Sequence, residues 1–354
     1  MEAALYGPDG FFVSGPGPAA HFRTSVHASP VFASCLRHLV TALDLALGHP
    51  ARLDVVDVGA GRAELLRSLL GALVEAPTDP SLAERVRLVA VEKAGRPDDL
   101  PAEIEWRDEI PDDVTGLLLA TEWLDNVPLD VATDTPDGWR HVLVDPATGA
   151  ESPGPPLSPA DTAWLTHWWP LPSPPSPVIK EFASGGGPDR DANSLITAVK
   201  GGRVEIGWGR DAAWAEAVGR VRRGAALAVD YGHLRDARPV DGTLTGYRGG
   251  RQVPPVPDGS CDVTAHVAID SVASAGERVA RCAYTLVSQR AALLALGADG
   301  GRPPLSLASR DPAGYLRALA AASAVAELTD PAGLGGHWWL WQPVGVDLDP
   351  LLAR

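Results

Sequence analysis

Three carboxyl residues stand where buried-looking apolar runs end, and their spacing suits the handling of a cation. The run Gly116-Leu117-Leu118-Leu119-Ala120 gives way at once to Thr121-Glu122-Trp123-Leu124-Asp125-Asn126-Val127-Pro128. Glu122 and Asp125 are three residues apart, so a helical turn after the strand projects both from one face into a common pocket. Paired carboxylates can grip a guanidinium, whose five donors form a rigid fork, and aim one nitrogen at an electrophile. The competing reading is a helix N-terminus, with Thr121 or Asp125 as N-cap and the acids favoured by the positive end of the dipole. Asp230 ends another apolar run, Ala225 to Val229, ahead of Tyr231-Gly232-His233, where a carboxylate can relay a proton.

A second constellation reads as a nucleotide-cofactor cradle. Arg52 to Leu66 combines an apolar β-type run, the turn Gly59-Ala60-Gly61 and an amphipathic helix. Such a turn lets the backbone bend sharply beside a ligand while the helix offers free N–H groups. Tight turns use glycine without any ligand, so the pattern gains weight from Glu92. That acid closes the apolar run Val86 to Val91, where its carboxylate can accept both ribose hydroxyl protons. A nicotinamide fingerprint wants a small residue three places after the second glycine, and Glu64 stands there. A carboxylate in the first helical turn opposes a pyrophosphate, which selects a cofactor without phosphates. S-adenosylmethionine meets these conditions, with an adenosine for Glu92, an amino-acid part for the glycine turn and a sulfonium that tolerates nearby acids.

The elements that must position these residues alternate. A helical stripe over Ser29 to Leu47 precedes strand 53–58, helix 62–75, strand 86–91, a short strand near Ile104-Glu105-Trp106, and strand Gly116 to Ala120. Alternation of this kind predicts an α/β fold with a parallel sheet. Residues 1 to 25 show little periodicity. Prolines crowd Asp145 to Pro177, where Trp164, Trp168 and Trp169 at helical spacing read as packing residues; Ser184 to Asp189 reads as a flexible loop. Asp211 to Val221 is expected to be helical, Gly242 to Val253 a hairpin, Val287 to Leu296 and Pro312 to Glu327 helices, and His337 to Val344 a closing strand. The division expected is an N-terminal cap segment 1–50, a catalytic core of 51–145 and 224–354, and an inserted substrate-recognition region 146–223.

Composition narrows the partners. The chain has 354 residues, 45% of them hydrophobic, enough for a large core. A formal net charge of −15, with no Lys/Arg run, argues against nucleic acid and is compatible with a cationic substrate. Cys35, Cys261 and Cys282 are far apart and imply neither a disulfide framework nor a zinc site, and no other metal is expected. The N-terminus lacks a basic, apolar leader, and no stretch reads as a membrane span, so a cytoplasmic location is expected. His27, His233 and His266 fall near the motifs, although a lone His is more often a surface or satisfied core residue.

Taken together, the motifs resemble the MidA-like family of S-adenosylmethionine-dependent methyltransferases. The resemblance rests on Tyr6-Gly7-Pro8-Asp9-Gly10-Phe11-Phe12, Phe22-Arg23-Thr24-Ser25, Ser29-Pro30-Val31-Phe32, Val58-Gly59-Ala60-Gly61-Arg62 and Val91-Glu92. Downstream it continues through Thr121 to Pro128, Val229-Asp230-Tyr231-Gly232, Asp262-Val263-Thr264-Ala265-His266-Val267 and Ser288-Gln289. It implies a Rossmann-like class I methyltransferase fold, with a mostly parallel seven-stranded sheet and helices on both faces. It also implies that Gly59, Gly61 and Glu92, helped by Thr24, Ser25 and Glu122, hold S-adenosylmethionine, with S-adenosylhomocysteine as product. The substrate pocket it implies lies near Glu122, Asp125 and Asp230, and family relatives include a mitochondrial complex I assembly protein that methylates arginine. Several residues depart from the family pattern: Thr121, Trp123, Leu124 and Asn126 in the acceptor loop, Ala63 for a third glycine, and His21 for an Asp. The acceptor is therefore expected to be a protein arginine or a small molecule of specialised metabolism. A non-catalytic assembly factor that binds the cofactor, a nicotinamide oxidoreductase and a homodimer are the other expectations carried forward.

Overall fold

The computed structural model describes residues 1–14, 30–75, 80–170, 202–298 and 300–349. The apolar runs become strands β1 (Leu53–Val58), β2 (Val86–Val91), β3 (Ile104–Arg107) and β4 (Val114–Thr121). A polar stretch follows, with β5 (Asp130–Thr135), β6 (Gly138–Val144), β7 (Glu151–Pro156) and β8 (Arg203–Ile206). Then come β9 (Val221–Asp230), β10 (Gly232–His233), β11 (Thr245–Arg248), β12 (Arg251–Val253), β13 (Asp262–Thr264), β14 (Val267–Ala268), β15 (Thr285–Ser288) and β16 (Trp338–Val344).

Seven of these form the central sheet, in the order β15-β16-β9-β4-β1-β2-β3. Pairing is parallel from β3 through β9, and β16 runs antiparallel between β9 and β15. The sheet is therefore mostly parallel, as expected. The chain moves outward from β1 to β3 and returns to β4 on the other side of β1, so a crevice opens beyond the carboxyl ends of β1 and β4.

Alternate residues of the strands feed two cores. Val55 of β1 and Leu227 of β9 face one, with Phe32, Leu36, Leu39 and Leu43 of helix Pro30–Leu47 and Leu66 and Leu69 of helix Glu64–Val74. Val56 and Ala228 face the other, with Trp214 of helix Trp208–Gly219 and Val272 of helix Ile269–Ala280. Helix Pro30–Leu47 is 18 residues long and apolar enough to cross a membrane by length and composition, contrary to the expectation that no stretch qualifies. Half of it is buried against the sheet, and the core supplies the apolar partner that its stripe requires.

The polar stretch folds into a separate antiparallel sheet, β7-β6-β5-β8, in which Asp130 lies opposite Ile206. Helix Pro159–Trp168 covers it, with Trp164 and Trp169 packed on Val204, Ile206 and Ala268. The Trp164 indole N–H donates to Asp211 Oδ2 at 2.8 Å, and Ser271 Oγ donates to the same oxygen at 2.6 Å, which ties the insertion to the core helices. The expected hairpin is present as β11 and β12, and β13 joins it as a third strand.

Three local expectations are corrected. The first residues form short helices, Glu2–Tyr6 and Phe11–Ser14, whose Leu5 and Phe11 pack on Cys261 and Val263. Val287 belongs to β15, because Thr285 to Ser288 pair with β16; the helix starts at Gln289, where the Ser288 side chain caps it. The first βα helix starts at Glu64, since Ala63 is left-handed at φ 62°. The loop Ser184 to Asp189 lies outside the described residues.

Candidate active site

A cleft of about 1460 Å³ opens at the carboxyl ends of the central strands. Its floor begins with the glycine turn. Gly59 (φ 73°) and Gly61 (φ 58°) both take left-handed backbone, the region that glycine enters without steric cost. A Cβ on Gly59 would meet Trp123 Cδ1 at 2.9 Å, so the turn also packs flush against the loop that follows β4. Glu92 braces it from β2: Oε2 accepts the Gly61 N–H at 3.0 Å and Oε1 accepts the Lys93 N–H at 2.6 Å. Oε1 also accepts the Ala94 N–H at 3.3 Å, so of the carboxylate's roughly four lone-pair sites the one left for a ligand hydroxyl is on Oε2. Glu64 Oε2 accepts the Arg62 N–H at 2.9 Å, filling a helix-terminal donor that a diphosphate would need.

Asp57, the penultimate residue of β1, was not anticipated. It is buried at the cleft, and its Oδ1 has no hydrogen-bond partner among the described residues. Burial, reinforced by Glu64 and Glu92, pushes its pKa up to about 8. The only signal in the sequence was a pair of acids, Asp54 and Asp57, inside a strand whose other residues are apolar.

The side of the cleft across from the glycine turn is built on Thr121 to Pro128. The chain leaves β4 with Glu122 at φ 51°, unusual for a non-glycine residue, and its N–H donates to the Val229 carbonyl at 2.8 Å. Two overlapping turns then run from Trp123 to Val127. Because a turn replaces the helix, Glu122 and Asp125 do not share a helical face, and neither Thr121 nor Asp125 caps a helix. Glu122 lines the cleft while Asp125 is buried. Asp125 Oδ2 accepts from the Tyr231 hydroxyl, and from Thr264 Oγ1 at 2.6 Å. Burial raises the Asp125 pKa against these hydrogen bonds and the Arg210 charge.

Asp230 is fully buried beneath the loop. Oδ2 accepts the N–H groups of Leu124 (3.0 Å) and Asp125 (3.2 Å), and Oδ1 that of Tyr231 (2.9 Å). Burial, with Asp125 and Glu122 nearby, drives its pKa well up. It clamps the turn and does not line the cleft. A second clamp is Arg210, also buried, whose guanidinium donates to the carbonyls of Val127, Ala265, His266 and Asp125 at 2.5–3.0 Å. Asn126 Nδ2 donates to Asp262 Oδ1 at 2.9 Å; burial and Asp125 hold the Asp262 pKa at about 8. The Tyr6 hydroxyl donates to the Asn126 carbonyl at 3.4 Å, bringing the N-terminal helix to the cleft. Arg210 escaped the sequence reading, and Tyr6 entered it only as part of a motif, because long-range packing alone gives them these positions.

Aromatic rings finish this end. Tyr231 meets His266 edge-on at 5.0 Å and His337 at 5.6 Å, and His266 stacks on His233 at 6.4 Å. Desolvation lowers the His337 pKa to about 4 and that of His233 to about 3. Thr24, Ser25 and His27 lie outside the described residues.

Charge on the cleft is one-sided. Among the described lining residues, Glu2, Asp57, Glu64, Glu92, Asp108, Glu109, Glu122, Asp125, Glu216 and Asp262 carry carboxyls, against the bases Lys93 and Arg220. No group of three or more His, Cys, Asp or Glu side chains among the described residues is placed to hold a metal ion. The buried Asp57 oxygen fits an ammonium, the free site on Glu92 Oε2 fits a ribose hydroxyl, and the glycine turn with its filled Arg62 donor fits an uncharged backbone-hugging group. Those three features match the amino-acid and nucleoside parts of S-adenosylmethionine.

The profile of a family described as S-adenosyl-L-methionine-dependent methyltransferases matches residues 37–286. Two crystal structures from Burkholderia thailandensis cover 100% of this chain at 25% identity. One, described as a candidate methyltransferase bound to S-adenosylhomocysteine, is covered over 89% of its length with a TM-score of 0.74. The other, a native structure of an uncharacterised protein of the same superfamily, is covered over 88% with a TM-score of 0.71. No curated protein matches the chain.

Proposed function

The chain belongs to this family of S-adenosyl-L-methionine-dependent methyltransferases, and from that premise we propose that it methylates a nitrogen acceptor, an arginine side chain of a protein. The observation that carries the proposal is the cleft lining: even with the buried Asp57, Asp125 and Asp262 left out, carboxyls outnumber the cationic side chains Lys93 and Arg220. Such a lining attracts a guanidinium and repels phosphorylated or carboxylate acceptors.

In this reading Gly59, Gly61 and Glu92 seat the nucleoside, and Asp57 faces the amino-acid ammonium. When bound, S-adenosylmethionine supplies an electrophilic methyl carbon, to which the acceptor nitrogen's lone pair forms an N–C bond as the C–S electron pair leaves on sulfur. The protein's own contribution is position. Glu122, at the strained end of β4, holds the guanidinium by charge-assisted hydrogen bonds and points one nitrogen inward. Asp125 orients Tyr231 and Thr264, and Asp230 fixes the turn that carries Glu122; both are positioning residues. Tyr6 and Trp123 wall the cleft and limit water.

Incubation with methyl-labelled S-adenosylmethionine and a cell lysate, followed by separation by size and acid hydrolysis, tests the proposal. The expected result is label in the protein fraction, recovered as methylarginine. Label confined to small molecules, or recovered from protein on a residue other than arginine, overturns it.

A further inference from the structure

Methylation of a nitrogen leaves a proton to dispose of, and most polar groups at the acceptor end are already committed. Asp230 is filled by three backbone donors; Asp125 Oδ2 accepts from Tyr231 and Thr264, and its unpartnered Oδ1 is buried. The Tyr231 hydroxyl is itself a donor in that pair, His233 Nδ1 is engaged by Arg238, and the unpartnered His233 Nε2 and His337 Nδ1 are buried away from solvent. His266 differs. Its ring is exposed at the cleft, and its nitrogens hydrogen-bond to none of the described residues. We infer that His266 is the group that takes the proton shed by the acceptor nitrogen.

Its geometry is fixed from both sides. The His266 N–H donates to Thr243 Oγ1 at 2.8 Å and its carbonyl accepts from Arg210 at 3.0 Å. Tyr231 supports the ring edge-on and His233 by stacking. Tyr231 in turn is bonded to Asp125, in the loop that carries Glu122, so the imidazole and the guanidinium-binding carboxylate belong to one braced unit. The charged groups facing the ring are Glu205 and Asp125, which raise its pKa, and Arg210, which lowers it; desolvation outweighs them and the net shift is downward. The ring is thus neutral at pH 7, with a lone pair free. The N–H proton of the methylated nitrogen moves to that lone pair, and the imidazolium releases it to water through the open cleft. Glu122, a weaker base by about two pKa units in ordinary surroundings, serves as the cation's anchor.

The inference rests on the nitrogen-acceptor reading. Three measurements on the full chain test it: S-adenosylhomocysteine binding by calorimetry, ring titration of His266 by NMR in the S-adenosylhomocysteine complex, and methyl transfer from labelled S-adenosylmethionine to lysate protein between pH 5 and 9. H266A and H266Q should bind S-adenosylhomocysteine within twofold of wild type and lose about 100-fold or more in transfer rate. The wild-type rate should fall below the ring's titration point, the variants should lack that limb, and added imidazole should restore H266A at least tenfold. H266Q serves if H266A does not fold. Nitrogen-borne label from H266Q within threefold of wild type, or a ring that titrates above pH 7.5, overturns the role of His266 alone. Label on oxygen or carbon overturns the nitrogen reading and this inference with it.

Discussion

Replacing Glu92 by Gln separates the cofactor cradle from the rest of the cleft. Glu92 now accepts the Gly61 N–H with one oxygen and the Lys93 N–H with the other. A glutamine keeps one acceptor and turns an NH₂ toward a backbone donor, so one charge-assisted hydrogen bond is lost within the protein and another to the ligand diol. A hydrogen bond to a charged group contributes about 1.5–3 kcal/mol. Glu92 is half-exposed, so solvent screening favours the lower end. The ligand bond alone then corresponds to about a tenfold loss of affinity, and loosening of the Gly61 turn extends the range toward 100-fold. Calorimetric titration of wild type, E92Q and E92A with S-adenosylhomocysteine at pH 7.5 measures this directly, and circular dichroism melts verify that each variant is folded. E92Q binding within twofold of wild type would refute both the ribose role and the bracing of the turn.

The other predictions concern the acids and the buried cation. E122Q should leave S-adenosylhomocysteine affinity nearly unchanged and slow methyl transfer sharply; equal loss of both places Glu122 in the cofactor site instead. Asp57, with a folded pKa of about 8 against an unfolded value near 4, keeps its proton in the native state over a window where the unfolded chain has released it. Its carboxyl therefore destabilises the unliganded fold increasingly as pH rises from 4 to 8 and by a constant amount above 8. D57N should melt higher than wild type by a margin that grows across that window, and a margin independent of pH contradicts the assignment. R210M leaves four carbonyls without their donor and two buried aspartates without their cation, a loss of about 3–5 kcal/mol in urea unfolding. R210K should recover only part of it, since an ammonium has three donors for four acceptors; full recovery by Lys shows that charge alone suffices.

What was legible depended on whether a residue's role is local. The strands 53–58 and 86–91 announce themselves because buried parallel strands are continuous apolar runs, and Gly59, Gly61 and Glu92 follow from where those runs stop. The sheet β5–β8 was hidden for the opposite reason. Asp130–Thr135 is polar, and Glu151–Pro156 carries three prolines, which an edge strand tolerates because its outward N–H groups need no partner. β15 was hidden by abutting a helix, so its last two residues, Val287 and Ser288, merged into the helical reading. In the site, the carboxylates at strand ends could be located, but not sorted. Whether Asp230 faces the cleft or lies beneath the loop depends on how Leu124, Asp125 and Tyr231 direct their N–H groups, and one-dimensional spacing does not encode that. His266 was visible as a residue and in a motif, yet its exposure beside Tyr231 comes from β13, β14 and the Arg210 bonds acting together.

The register between β5 and β8 has a consequence for how this enzyme could change over time. Asp130 and Ile206, the points where the inserted sheet leaves and rejoins the main body, are directly opposed partners, and such partners stand only about 5 Å apart. A cassette hinged on so narrow a doorway can be lengthened, trimmed or exchanged without asking β4 or β9 to move. The half that carries the cleft is thereby insulated from drift in the cassette, whose described residues stay out of the cleft lining.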